Sequence, residues 1–124
     1  MNGRALARAT FVGVILQLAL FSIGHFSPWV RVHAIEFGTM MIAATAAYLY
    51  AMDSRQSFFT SATGGAIVGG LCGFVGLFYC MAIGDAPPFF GIPLGTAIDV
   101  FTGAVGGLFG QIAARWRAWE MRKR

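Results

Sequence analysis

Four long apolar stretches occupy most of the 124-residue chain and restrict what it can fold into. They cover residues 9–26, 32–51, 58–83 and 89–114. An α-helix rises about 1.5 Å per residue, so the roughly 30 Å hydrocarbon core of a bilayer needs about 20 mainly apolar residues. Each stretch approaches or exceeds that length, and only 11% of all residues are charged. The sequence therefore predicts an all-α integral membrane protein, a single domain of four transmembrane helices with a basic tail at 115–124.

The basic residues fall on one side of the predicted membrane. All but one of the nine Lys and Arg residues precede the first stretch, separate the second from the third, or follow the fourth. The exception is Arg31, between the first two stretches. Because basic residues are enriched in cytoplasmic segments, both termini are predicted to be cytoplasmic. We expect a cell membrane, and the inner membrane of a bacterium in particular.

The first stretch also has features of a cleaved signal peptide, because two arginines precede its apolar core. A signal peptide ends at a cleavage site with small residues. After Ile23 the chain instead continues GHFSPWV. We therefore expect the first helix to be retained.

The basic tail combines arginines with tryptophans. Aromatic rings anchor helices at the headgroup level, and basic residues there attract anionic lipid. We expect contact with anionic lipid here, and no nucleic-acid partner. The predicted lipid-interface residues are Trp29, Trp116, Trp119, Arg115 and Arg117.

Two short segments resemble each other at an offset of 60 residues. Residues 23–30 read IGHFSPWV and residues 83–90 read IGDAPPFF, so Ile, Gly and Pro recur at equivalent positions. Each segment lies where an outgoing helix turns into a returning one. The match predicts two similar helical hairpins in parallel orientation.

Glycines recur every three or four residues in the third and fourth stretches. In lipid, such faces let helix backbones approach and gain van der Waals contact. They could pack the helices of one bundle, join a homo-oligomer, or dock the chain in a larger membrane complex. The predicted helix-packing or oligomer face comprises Gly65, Gly69, Gly73, Gly76, Gly103, Gly106 and Gly110.

Two carboxylates lie within the predicted spans, where ionisable residues are costly and are often functional. Asp99 lies between Gly95 and Gly103 on the small-residue face, which directs it toward another helix. Glu36 is three residues from His33, so the two side chains can share a hydrogen bond or a proton on one helical face.

Three interpretations of these carboxylates remain open. Glu36 could pair with Arg31 or His33, while Asp99 bonds a nearby threonine hydroxyl. Alternatively, Glu36 and Asp99 line a polar cavity that binds a cation or carries a proton. Third, His25, His33 and Glu36 are acceptable zinc or copper ligands, but their spacing matches no metal motif, so no metal is assigned.

No G-x-S-x-G, P-loop or H-E-x-x-H motif is present, so we expect no enzyme activity and no cofactor. The leading hypothesis is a small channel or transporter-like protein that handles a cation, proton or small polar solute in the outer leaflet. The alternative is a non-catalytic accessory subunit of a larger membrane complex. A cavity that reaches Asp99 favours the first, and a dry interior favours the second. The predicted substrate or ion-binding residues are Asp99, Glu36, His33 and Gln17.

Overall fold

A computed structural model describes residues 1–85 and 90–124. Within these residues the chain forms five α-helices and no strand. Four of the helices, all except the six-residue α2, are long and apolar enough to cross a membrane. The predicted all-helical class is therefore confirmed. The helices are α1 (Gly3–Phe26), α2 (Pro28–His33), α3 (Ile35–Ser54), α4 (Phe58–Ala82) and α5 (Gly91–Lys123).

Polar side chains fix the start of two of these helices. The Oδ1 atom of Asn2 accepts a hydrogen bond from the backbone N–H of Ala5 at 3.3 Å, at the start of α1. The Oγ atom of Ser57 accepts one from the N–H of Thr60 at 3.3 Å, at the start of α4. Each cap satisfies an N–H group that the first helical turn leaves without a partner.

The second predicted span, 32–51, differs from the structure at its start. The short helix α2 ends at His33, Ala34 lies between the two helices with a φ of −118°, and α3 begins only at Ile35. Pro28 occupies the first turn of α2, where its missing N–H breaks no helical hydrogen bond.

The fourth long helix, α5, is longer than the predicted span 89–114. α5 has 33 residues and so extends about 50 Å, well beyond the thickness of a hydrocarbon core. The basic tail is therefore a continuation of the helix.

Two helices form the middle of the bundle. α3 and α4 contact each other, and each also contacts α1 and α5, whereas α1 and α5 do not meet within the described residues. α1 and α4 run parallel, because Cys72 contacts Thr10 and, farther along both helices, Tyr79 contacts Ser22. We call the end of the bundle with both chain termini the termini end, and the opposite end the α2 end.

Glycines let the helix backbones touch toward the termini end. A Cβ atom added to Gly103 would lie 2.9 Å from the Cα atom of Gly69, and one added to Gly106 would lie 2.8 Å from the Cα atom of Ala44. Both distances are too short for an ordinary contact. α5 therefore packs directly against the backbones of α4 and α3.

The outer surface of the bundle is apolar. Large apolar side chains are exposed along the four long helices, which is the arrangement expected where lipid replaces water as the solvent. Examples are Phe11, Phe37, Phe59, Phe101 and Phe109.

Candidate functional site: a cavity that reaches Asp99

A cavity of about 570 Å³ lies between the helices at the α2 end. All five helices contribute to its lining. Its walls are mainly apolar and include Phe21, Ile35, Leu77 and Leu94. Asp99 lies about 12 Å along α5 from Gly91, which is the first residue of that helix.

The glycines of α4 make room for the Asp99 side chain. Asp99 is only 4% exposed. Its carboxyl group lies against Gly73, where an added Cβ atom would be 2.9 Å from the Cγ atom of Asp99. Any larger residue at position 73 would therefore displace this carboxylate.

The Asp99 carboxylate has no hydrogen-bond or ion-pair partner among residues 1–85 and 90–124. The threonine hydroxyls expected as partners lie elsewhere: Thr102 donates to the carbonyl of Ile98 at 2.7 Å, and the Thr96 hydroxyl has no partner within the described chain. Residues 86–89 read Ala-Pro-Pro-Phe and contain no charged side chain. Asp99 is thus a buried acid without a basic neighbour.

A cluster of three polar side chains lies at the mouth of the cavity. The Oδ2 atom of Asp85 accepts a hydrogen bond from His25 Nδ1 at 2.7 Å and forms an ion pair with Arg31 Nη2 at 3.3 Å. Arg31 also donates to the carbonyls of Gly24 at 3.2 Å and His25 at 3.0 Å. This cluster joins the end of α1, the helix α2 and the segment after α4.

The lining of the cavity has an excess of negative charge. Glu36, Asp85 and Asp99 contribute carboxylates, and Arg31 contributes a single guanidinium group. Glu36 forms no ion pair within the described chain. A cleft with this balance attracts cations and repels anions.

His33 does not join the cavity. Its Nδ1 atom lies 3.0 Å from the carbonyl oxygen of Trp29. The His33 ring also stacks on the Trp29 ring, with 5.2 Å between the two ring centroids. Glu36 lies in the next helix, α3, beyond the turn residue Ala34. No hydrogen bond joins the two residues in the described part of the chain, and Arg31 pairs with Asp85 instead of Glu36.

Gln17 lies behind the cavity and is fully buried. Its Nε2 atom donates to the carbonyl of Thr39 at 3.4 Å, and its Oε1 atom has no partner within the described residues. Gln17 therefore links α1 to α3 and does not line the site.

The three residues considered as metal ligands are dispersed. His25 bonds Asp85, His33 faces the Trp29 carbonyl, and Glu36 is exposed. Within residues 1–85 and 90–124, no group of three His, Cys, Asp or Glu side chains is arranged to hold a metal ion.

The predicted glycine face is divided among several neighbours. Gly65, Gly69 and Gly73 face α5, whereas Gly76 faces Phe21 and Gln17 of α1. On α5, Gly103 faces α4, while Gly106 and Gly110 face α3. All seven glycines are buried by helices of the same chain. A contact with a second chain would therefore have to use other residues.

The predicted lipid-interface residues lie on the surface. Trp29 is on α2, and Trp116 and Trp119 are on the extension of α5, each more than half exposed. The Arg115 guanidinium lies 4.1 Å from the Phe58 ring centroid, which connects α5 to the start of α4. Arg117 is also exposed on this extension.

Two hydrogen bonds between helices could not be predicted from the sequence of any one span. Ser61 donates to Oε1 of Gln111 at 3.0 Å between α4 and α5, and Ser22 and Tyr79 are joined by a 2.7 Å hydrogen bond between α1 and α4. The His25 and Asp85 pair is different, because these residues occupy the same position in the two segments aligned at an offset of 60.

Comparisons with known proteins found no matching family model, no matching curated protein and no matching solved structure.

Proposed function

We propose that the chain is a transporter-like integral membrane protein whose cavity binds a cation, a proton or a small polar solute. The observation that carries this proposal is the cavity that reaches Asp99. A buried carboxylate without a basic partner is costly unless it holds a proton or a bound cation. Asp99 is therefore the central binding group, and Glu36 is a second carboxylate that lines the same cavity.

The proposed orientation places both termini in the cytoplasm and the cavity on the external side, as expected for the inner membrane of a bacterium. The distribution of Lys and Arg supports it, since only Arg31 lies on the cavity side. At that end, Asp85 compensates the charge of Arg31.

The packing beyond Asp99 favours a conformational change over a permanently open channel. From Gly69 toward the termini end, the backbones of α4 and α5 are in contact. A solute could leave on that side only if α5 moved relative to α4. We propose that α1 with α3, and α4 with α5, form the two similar hairpins, and that this movement occurs within the second hairpin.

The function can be tested with Asp99→Asn, which keeps the shape of the side chain and removes its titratable charge. Thermal stability of the purified variant and the wild type is measured across pH and across a panel of monovalent and divalent cations. We expect the wild type to respond to pH or to a cation and Asp99→Asn to lose that response. Asp53→Asn, which removes an exposed carboxylate at the termini end, is the matched control and should behave like the wild type.

Identical responses of Asp99→Asn and the wild type would contradict the proposal and leave the accessory-subunit hypothesis. The orientation is tested separately by cysteine labelling in intact cells, in a variant without Cys72 and Cys80. A membrane-impermeant reagent should label Ser27→Cys and not Arg122→Cys. Labelling of Arg122→Cys from outside would overturn the orientation.

A further inference from the structure

The size of the cavity restricts its ligand. At about 570 Å³, it falls within the range of roughly 300 to 1,000 Å³ that is usual for sites that hold organic molecules. A bare metal ion or a proton would leave most of this volume without protein contacts. The cavity therefore fits a ligand with a body of several carbon atoms.

The groups around Asp99 argue against a divalent metal ion as that ligand. Calcium takes six to eight oxygen ligands and magnesium prefers six. In the part of the chain that the structure describes, no group of three His, Cys, Asp or Glu side chains is arranged to hold a metal ion. The residues beside Asp99 include Gly73, Gly95 and Ile98, whose side chains offer no oxygen atom.

The charges of the cavity select for a cation. Arg31 is engaged by Asp85 and by two backbone carbonyls, so its charge is largely compensated. The carboxylates of Glu36 on α3 and Asp99 on α5 have no such partner within the described chain. A cation in the cavity therefore meets two carboxylates whose charge is not compensated.

We propose that the ligand is an organic cation with an apolar body, such as an aryl- or alkyl-substituted ammonium or phosphonium ion. This inference rests on the proposed function of the cavity and specifies the class of its ligand. The charged centre pairs with Asp99. The apolar body packs against Phe21, Leu77 and Leu94, where apolar surface gains from leaving water.

The test is equilibrium binding of radiolabelled tetraphenylphosphonium to the full purified chain in detergent. Tetraphenylborate has nearly the same shape and the opposite charge, so it measures apolar partitioning alone. We expect saturable phosphonium binding at about one ion per chain, and no saturable borate binding. Asp99→Asn should weaken phosphonium binding at least tenfold, while Asp53→Asn should leave it unchanged.

A second variant tests the charge of the cavity without changing the buried residue Asp99. Glu36→Gln changes an exposed residue of the lining, and should weaken phosphonium binding a few-fold by removing one attracting charge. The effect should shrink at high salt, because exposed charges are screened. Circular dichroism and a sizing column check that each variant is folded.

Equal binding of the phosphonium and borate ions, or equal phosphonium binding by Asp99→Asn and Asp53→Asn, would overturn this inference. The two assays together separate a wrong ligand class from a wrong functional role of Asp99. If Asp99→Asn loses the response to pH or inorganic cations while the wild type binds no phosphonium, the ligand class is wrong and the functional role of Asp99 stands. If neither assay distinguishes Asp99→Asn from the wild type, both proposals fall.

Discussion

Toward the termini end, α4 and α5 meet backbone to backbone at Gly65 and Gly103, whereas at the α2 end the same two helices carry Leu77 and Leu94 and enclose a cavity. The difference follows from side-chain size. Where glycines face each other, the axes approach until backbone atoms touch. Where larger side chains face each other, the helices stand apart and leave a space. One pair of helices thus builds a solid half and a hollow half.

The two halves are expected to contribute unequally to stability. Apolar side chains gain little by leaving lipid for a protein interior, so the helices are held together by close packing and by polar contacts between them. The solid half has both, including the buried bond between Ser61 and Gln111. In the hollow half, the cavity replaces part of the packing between helices, and a ligand can fill it.

The largest effect should come from filling the solid half. A leucine at Gly106 would be placed against the backbone of Ala44, which cannot move without displacing α3. We expect Gly106→Leu to lower the free energy of unfolding by about 3 kcal/mol, at the upper end of overpacking effects. Unfolding by denaturing detergent in mixed micelles measures it.

Gly95→Leu is the matched control on the same helix. Gly95 lines the cavity, and its nearest neighbour is the end of the Leu77 side chain, 3.1 Å from an added Cβ atom. Because that side chain can rotate into the cavity, we expect a loss of about 1 kcal/mol or less. Equal losses for the two variants would contradict the contrast between a solid and a hollow half.

An intermediate effect is expected from the buried hydrogen bond of the solid half. Ser61→Ala leaves the Gln111 Oε1 atom without its donor, which should cost about 1 kcal/mol. A double-mutant cycle with Gln111→Leu isolates the coupling between the two residues. Ser22→Ala, which removes the partly exposed bond to Tyr79, should cost less. A zero coupling energy would remove this bond from the account of the solid half.

The smallest effect should come from the cluster at the mouth of the hollow half. Asp85→Asn breaks the ion pair with Arg31, whose side chain is 46% exposed. Because water screens such pairs, we expect a loss of about 0.5 kcal/mol at low salt that disappears at high salt. Asp53→Asn serves again as the control. A loss as large as that of Gly106→Leu would show that the cluster holds the bundle together.

The positions of the long helices could be predicted because hydropathy is a local property. The predicted third span, 58–83, and α4, Phe58–Ala82, differ by one residue at the end. The shift at the second span had a local signal that was missed, since Ser27 and Pro28 are a usual start for a separate helix. The continuation of α5 through the basic tail had no such clear local signal. The charged residues of the tail indicate where an apolar span ends, and they do not indicate where the helix ends.

The candidate site was predictable only in part. Asp99 and Glu36 stood out as charges within apolar stretches, and both line the cavity. His33 and Gln17 do not, because His33 lies against Trp29 on α2 and the packing of α1 against α3 encloses Gln17. The pairing of Asp85 with Arg31 joins residues 54 positions apart, and no local pattern predicts such a contact.

The sequence by itself determined the helical class and the four long apolar helices. The reason is that a backbone in hydrocarbon must satisfy its own hydrogen bonds, which a long apolar segment does as a helix wherever its neighbours lie. Only the tertiary structure decided that glycines meet at one end and that Leu77 and Leu94 line a space at the other, and hence that a cavity leads to Asp99. Such contacts depend on how the helices are shifted and rotated relative to one another. That arrangement results from many small packing contributions of residues that are far apart in the sequence.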